Sequence, residues 1–114
     1  MERVVVYGLL RKGQSMAHML ADARFVGRVE LSGFDLYHLG KYPGAVDGDG
    51  KIHGEVYEVE SLTTLDEAEG THKDPPLYKR IEIEALGAPA WIYVYARPLT
   101  DSFRIDSGDW ANPY

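Results

Sequence analysis

The sequence predicts an α+β protein built on a small, mixed, barrel-like sheet with two short helices. Three observations carry this reading. A run of β-branched residues, Val4-Val5-Val6, opens the chain; several later segments alternate apolar and polar residues over strand lengths; and only two short stretches carry apolar residues at helical spacing.

Taken in order, residues 4–7 form the first strand. Three consecutive valines restrict χ1 and pack well on a pleated surface, so this strand is expected to be buried on both faces. Gly8 then lets the backbone turn. Where a buried strand gives way to a glycine turn, N–H groups lose their ladder partners and suit an anion or a developing oxyanion. Ser15 is placed to cap a helix over 16–23, in which Met16, Met19, Leu20 and Ala23 recur at helical spacing and the methionines fill core. Residues 25–31 and 33–37 read as two adjacent strands.

Residues 41–51 contain Pro43, Gly44, Gly48 and Gly50 and read as an exposed loop, stiff at Tyr42-Pro43-Gly44 and loose at its tip. Asp47-Gly48-Asp49-Gly50 lacks the further oxygen ligands of a calcium loop and reads as a turn. Residues 52–59 form a strand with Ile52, Gly54, Val56 and Glu58 on one face and His53, Glu55, Tyr57 and Val59 on the other.

Ser61 caps a helix over 62–69, and Gly70 ends it. At about 100° per residue, Glu69 lies only about 20° around the helix from Leu62, with Leu65 beside them. Glu69 thus shares the apolar face, Asp66 lies on its edge, and Glu67 points to solvent. Residues 71–77, with Asp74-Pro75-Pro76, form a loop over the helix end. Residues 78–85 and 90–96 are strands joined by a hairpin across 86–89. From Pro98 the chain is irregular, with Phe103, Ile105 and Trp110 pinning the tail to the body.

At 114 residues the chain is one domain spanning 1–114, large enough to bury a core without staples. It has no cysteine, which excludes disulfides, thiolate nucleophiles and cysteine metal sites and fits a reducing cytoplasm. The opening apolar run is too short for a signal peptide or a membrane span. A formal charge of -6 argues against a nucleic-acid partner. The local pair Arg11-Lys12 is either a solvated turn or a cationic patch that steers an anionic small molecule inward.

Few constellations in the chain carry chemistry. Gly8 to Ser15 runs one residue short of a phosphate-cradling loop, and Gln14 stands where its lysine belongs. His18, His38, His53 and His72 show no ligand spacing, and no nucleophile-elbow motif is present. Glu69 remains. A carboxylate on an apolar helix face is costly if ionised, so it is paired with Arg80 or Tyr78, protonated, or functional. Burial and the negative end of the helix dipole both raise its pKa, which makes it a better proton acceptor near neutral pH.

Tyr7-Gly8-Leu9-Leu10 followed by Arg11-Lys12-Gly13-Gln14 resembles the opening motif of the γ-glutamylcyclotransferase-like proteins, particularly the short γ-glutamylamine cyclotransferase branch. The likeness continues in order through Phe25-Val26-Gly27, Tyr42-Pro43-Gly44-Ala45-Val46, Gly54-Glu55-Val56-Tyr57, Leu65 to Gly70, Tyr78-Lys79-Arg80 and Trp91 to Tyr95. Ser107-Gly108-Asp109-Trp110 resembles the end of short bacterial members. One position departs: the family usually has serine or threonine where this chain has Leu9.

The resemblance implies a barrel with the substrate cavity at one end and places Glu69 at the family's catalytic glutamate. It implies release of 5-oxoproline from a γ-glutamyl compound by attack of the α-amine on the γ-carbonyl, without metal or cofactor. Tyr7, Gly8, Leu9, Leu10, Tyr42, Pro43, Tyr78 and Arg80 are the expected substrate-binding residues, with Trp91 as a further wall. The alternative is a non-catalytic binding module that keeps the fold and pocket, favoured by the missing hydroxyl at Leu9. A protein-interaction surface on the aromatic strand 91–95 is the third reading.

Overall fold

The computed structural model describes residues 1–99 and 102–111. Its strands are β1 (Glu2–Val6), β2 (Arg24–His38), β3 (Pro43–Val59), β4 (Tyr78–Ala85), β5 (Ala88–Tyr95) and β6 (Phe103–Arg104), and its α-helix is α1 (Thr63–Ala68). The strands form one sheet in the order β4-β5-β1-β3-β2-β6, curled into half a barrel. β1 runs parallel to β5, and every other pairing is antiparallel. The sheet is mixed, as expected.

The valines of β1 are at most 3% exposed, because this central strand is covered on both faces. Val5 and Tyr7 join one cluster with Leu36, Ile52, Val56 and Ile92. Val4 and Val6 join another with Leu20, Tyr57, Leu62 and Leu65. Burying each valine contributes on the order of 1.5–3 kcal/mol, which fixes the register of β1 against its neighbours.

Two expectations for the strands are corrected. Residues 25–31 and 33–37 are not adjacent strands but parts of the single strand β2, bent by an irregularity between Ser32 and Phe34. Gly33, with φ 91°, supplies the conformation that this bend needs. Residues 41–51 are not a loop beyond Pro43, since β3 begins there and runs on to Val59. Ser32 pairs with Lys51 and Phe34 with Asp47, so Gly33 alone faces residues 48–50. Asp35 Oδ1 accepts the Gly50 N–H at 2.9 Å, and a Cβ at Gly48 or Gly50 would collide with the Asp35 carboxylate. These glycines make room for a side chain rather than loosening a loop.

The first expected helix is also corrected. Residues 16–23 hold only a 3-10 turn, Ala17–Leu20, with Met16 and not Ser15 at its start and no side-chain cap. Its N–H groups reach back three residues, Met19 to Met16 and Ala21 to His18. The second helix is shorter than expected, Thr63–Ala68, with Leu62 and not Ser61 at the N-cap and Glu69 at the C-cap; Ser61 Oγ still accepts the Thr63 N–H at 3.2 Å. Gly70, at φ 68°, ends it.

The hairpin is tighter than expected, with Leu86 and Gly87 both at positive φ in a two-residue turn. In the tail, Ile105 is buried and Trp110 packs on the first cluster, but Phe103 is 63% exposed and stacks on His38 instead. Phe103–Arg104 pairs with Tyr37 and His38, so the tail is not wholly irregular. Thr100, Asp101 and residues 112–114, part of that tail, lie outside the described residues. Among the described residues no helix is long and apolar enough to cross a membrane.

Candidate active site

The end of β1 supplies one wall of the site. Past Val6 the chain turns sharply: the Arg11 N–H donates to the Gly8 carbonyl at 3.0 Å and the Met16 N–H to the Leu9 carbonyl at 2.9 Å. The N–H groups of Gly8, Leu9 and Leu10 find no acceptor among the described residues. Gly8 and Leu10 are buried. Buried backbone donors are nearly always paired, so a run of three free ones, two of them on buried residues, marks a place for an anionic or carbonyl oxygen. Gly8 is required by its neighbour, since a Cβ there would stand 2.6 Å from Pro43 Cγ.

Four tyrosines frame the opening, and the hydroxyls of Tyr7, Tyr78 and Tyr93 are already committed. Tyr7 donates to the Tyr93 carbonyl at 2.6 Å and accepts the Ala45 N–H at 3.1 Å, joining the end of β1 to β5 and β3. Tyr78 donates to the Pro43 carbonyl at 2.5 Å, and Tyr93 donates to Asp66 Oδ1 at 2.6 Å. Burial is the main cause that pushes all three phenols far above the ordinary tyrosine range. They are neutral walls rather than acids or bases.

Glu69 is the titratable group on the opposite wall. It follows α1 directly, and Leu62 and Leu65, which precede it on the same face, are 5% and 3% exposed. Among the described residues no hydrogen bond or ion pair holds its carboxylate, and burial alone pushes its pKa up to about 7. It is therefore not the satisfied glutamate that a partner at Arg80 or Tyr78 would have made.

Both walls meet in one cavity of about 110 Å³. Tyr7, Gly8, Leu9 and Leu10 line it from β1 and its turn, Tyr42 and Pro43 from the start of β3, and Glu69 and Tyr78 from across the opening. Met16, Ala68, Leu77 and Tyr93 also line it, residues that sequence reading had not singled out. Ala68 and Leu77 adjoin expected site residues, and Tyr93 lies on the aromatic strand, so only their neighbourhood was visible. The lining contains no lysine, arginine or histidine.

Two cations stand elsewhere than sequence reading placed them. Arg80 is not among the lining residues: its Nε lies 3.3 Å from Asp66 Oδ1, and its guanidinium covers the Trp91 ring at 4.6 Å. Its strand alternation puts it one step beyond the opening. Trp91 likewise lies outside the cavity and donates to Glu2. Arg11 is no steering charge at a solvated turn, because it is folded inward onto Asp109 and Glu55.

A family described as "Gamma-glutamyl cyclotransferase, AIG2-like" matches residues 4–112, and the chain belongs to it. The "Gamma-glutamylcyclotransferase family protein YtfP" of Escherichia coli strain K12 is 41% identical over 108 residues, 95% of each chain. The solution structure of E. coli ytfP matches with a TM-score of 0.74 over 95% of each chain. The crystal structure of PH0828 from Pyrococcus horikoshii, 34% identical, matches with a TM-score of 0.83 over 96% of this chain and 90% of its own.

Proposed function

We propose that the protein is a γ-glutamyl cyclotransferase in which Glu69 is the general base and acid. The observation that carries this reading is an unpaired carboxylate, with pKa pushed up to about 7, sharing a cavity with three free backbone N–H groups. At neutral pH the substrate's α-amine is an ammonium and cannot attack. Glu69 takes one of its protons, and the freed amine attacks the γ-carbonyl carbon. The new C–N bond closes the ring as the amide bond to the leaving group breaks, and Glu69 returns its proton to the leaving nitrogen. Two protons leave the substrate ammonium in all, and both end on the released amine, which departs as its own ammonium beside 5-oxoproline.

The substrate's α-carboxylate is held by the N–H groups of Gly8, Leu9 and Leu10, since the lining offers no side-chain cation. For the same reason a second carboxylate on the leaving group would enter unpaired. γ-Glutamyl amines are the favoured substrates over intact glutathione.

The test is mass-spectrometric detection of 5-oxoproline on incubation with γ-glutamyl amines, γ-glutamyl amino acids and glutathione. Amine conjugates should turn over fastest. Equal turnover of glutathione would contradict the proposed preference. Absence of 5-oxoproline from every substrate would instead favour a binding module, the reading to which Leu9 in the cavity wall, in place of a hydroxyl residue, lends support.

A further inference from the structure

Behind the turn, and not among the residues that line the cavity, lies a buried carboxylate that the mechanism does not use. Glu55 is 4% exposed and stands opposite Val6, the last residue of β1, in the β1–β3 register. Its Oε1 accepts both the Lys12 N–H at 2.8 Å and the Tyr57 hydroxyl at 3.0 Å. Its Oε2 lies 3.9 Å from Arg11 Nε, a buried donor with no hydrogen-bond partner. Arg11 reaches on to Asp109 Oδ1 at 2.6 Å, which brings the C-terminal segment to the same point.

We propose that Glu55 is a positioning residue, which holds the turn from behind through Lys12 so that the free N–H groups of Gly8, Leu9 and Leu10 stay in place for the substrate. The proposal rests on the reading that those groups bind the α-carboxylate. A donor cluster of this kind is effective only if it is ordered before the ligand arrives. Within the turn, backbone bonds of 2.9–3.1 Å from Arg11, Gln14, Met16 and Ala17 also hold it, none of them involving Lys12, and the Arg11 side chain ties it to Asp109 in the C-terminal segment. Among the described residues Glu55 is the side chain that hydrogen-bonds the backbone of the turn to the sheet, because β3 carries it and the Lys12 N–H donates to it.

Both hydrogen bonds converge on one oxygen, and this makes the role separable from that of a charge. Glu55→Gln keeps an acceptor oxygen at the same reach, whereas Glu55→Asp keeps the negative charge and withdraws it by one methylene. If Glu55 positions the turn, Gln should behave nearly as wild type and Asp should fail. Glu55→Asp is expected to raise KM by about tenfold or more, as small misplacements of binding groups do, with kcat changed less than threefold because Glu69 is untouched.

A readout without substrate keeps this separate from the proposed activity. In Glu55→Asp the Lys12 amide should exchange with solvent about tenfold or more faster, and the Gly8, Leu9 and Leu10 amide resonances should shift or broaden while those of Val4 to Val6 hold. The Gln variant should leave all of them in place. The opposite order, Asp near wild type and Gln impaired, would show that Glu55 serves only as the counter-charge of Arg11 and overturn the proposal. So would loss of Lys12 protection with no change at residues 8–10. If the amides respond as expected but no γ-glutamyl compound turns over, the positioning role stands and the cyclotransferase reading falls.

Discussion

Tyr93 donates its hydroxyl to Asp66 Oδ1 at 2.6 Å, on the last turn before Glu69. The bond ties β5 to α1, and Arg80 approaches the same oxygen at 3.3 Å. Two donors thus claim Asp66 while Glu69, the C-cap residue of the same short helix, is left with none among the described residues. One carboxylate docks the helix and the other is free to exchange a proton. Tyr93→Phe should lower stability by about 1.5–3 kcal/mol, the range for a hydrogen bond to a charged group. Urea denaturation measures this, and an unchanged midpoint would mean that the bond does not hold α1.

Glu69→Gln keeps the shape of the side chain but cannot accept a proton. It should lose at least ~10² in kcat, the lower end of what general acid–base catalysis contributes, with much less effect on binding. Glu67 is exposed, about 160° around the helix, so Glu67→Gln should be nearly silent. Equal behaviour of the two variants would assign Glu69 a structural role.

Stability and activity should respond to pH in opposite directions. The folded-state pKa of Glu69 is raised from 4.5 to about 7, so between these values the folded chain holds a proton that the unfolded chain has released. The stabilisation is complete below about pH 4.5 and is lost as pH rises through 7. Glu69→Gln should therefore stabilise the protein at pH 8 by up to about 3 kcal/mol and leave it unchanged at pH 4.5. Over the same range kcat/KM should fall on acidification below about 7, as the base becomes protonated. Denaturation curves and rate profiles at matched pH would expose any common direction.

Gly8→Ala puts a methyl group 2.6 Å from Pro43 Cγ. Overpacking of this kind costs about 1–3 kcal/mol and should move the turn. Pro43→Ala removes the colliding atoms, so the double variant should recover much of the loss. Simple additivity in a double-mutant cycle would show that the two residues do not press on one another.

Local chemistry was legible wherever a residue's role depends on its near neighbours. The β-branched run at residues 4–6 could only be a buried strand, and the seven-residue interval from Leu62 to Glu69 put a carboxylate on an apolar face. The hairpin expected across 86–89 was legible for the same reason, although its turn is only Leu86 and Gly87. Glycines misled where their cause was remote. Gly48 and Gly50 look like a loose loop tip until the Asp35 carboxylate, carried by the neighbouring strand, is seen to occupy the space.

Cations misled similarly. Arg11 and Arg80 both sit beside the site in sequence, but which acid each one meets is set by strands and segments far along the chain. The sequence by itself determined the strand-rich fold, the free-backbone turn after β1 and the glutamate at the end of α1, because periodicity and glycine punctuation act within a few residues. Tertiary structure alone decided that the cavity these two walls share is lined by no cation, and that Glu55 stands behind the turn. Such relations come from the pairing of β1 with β3 and β5, whose register is chosen by the burial of both faces rather than by any local signal.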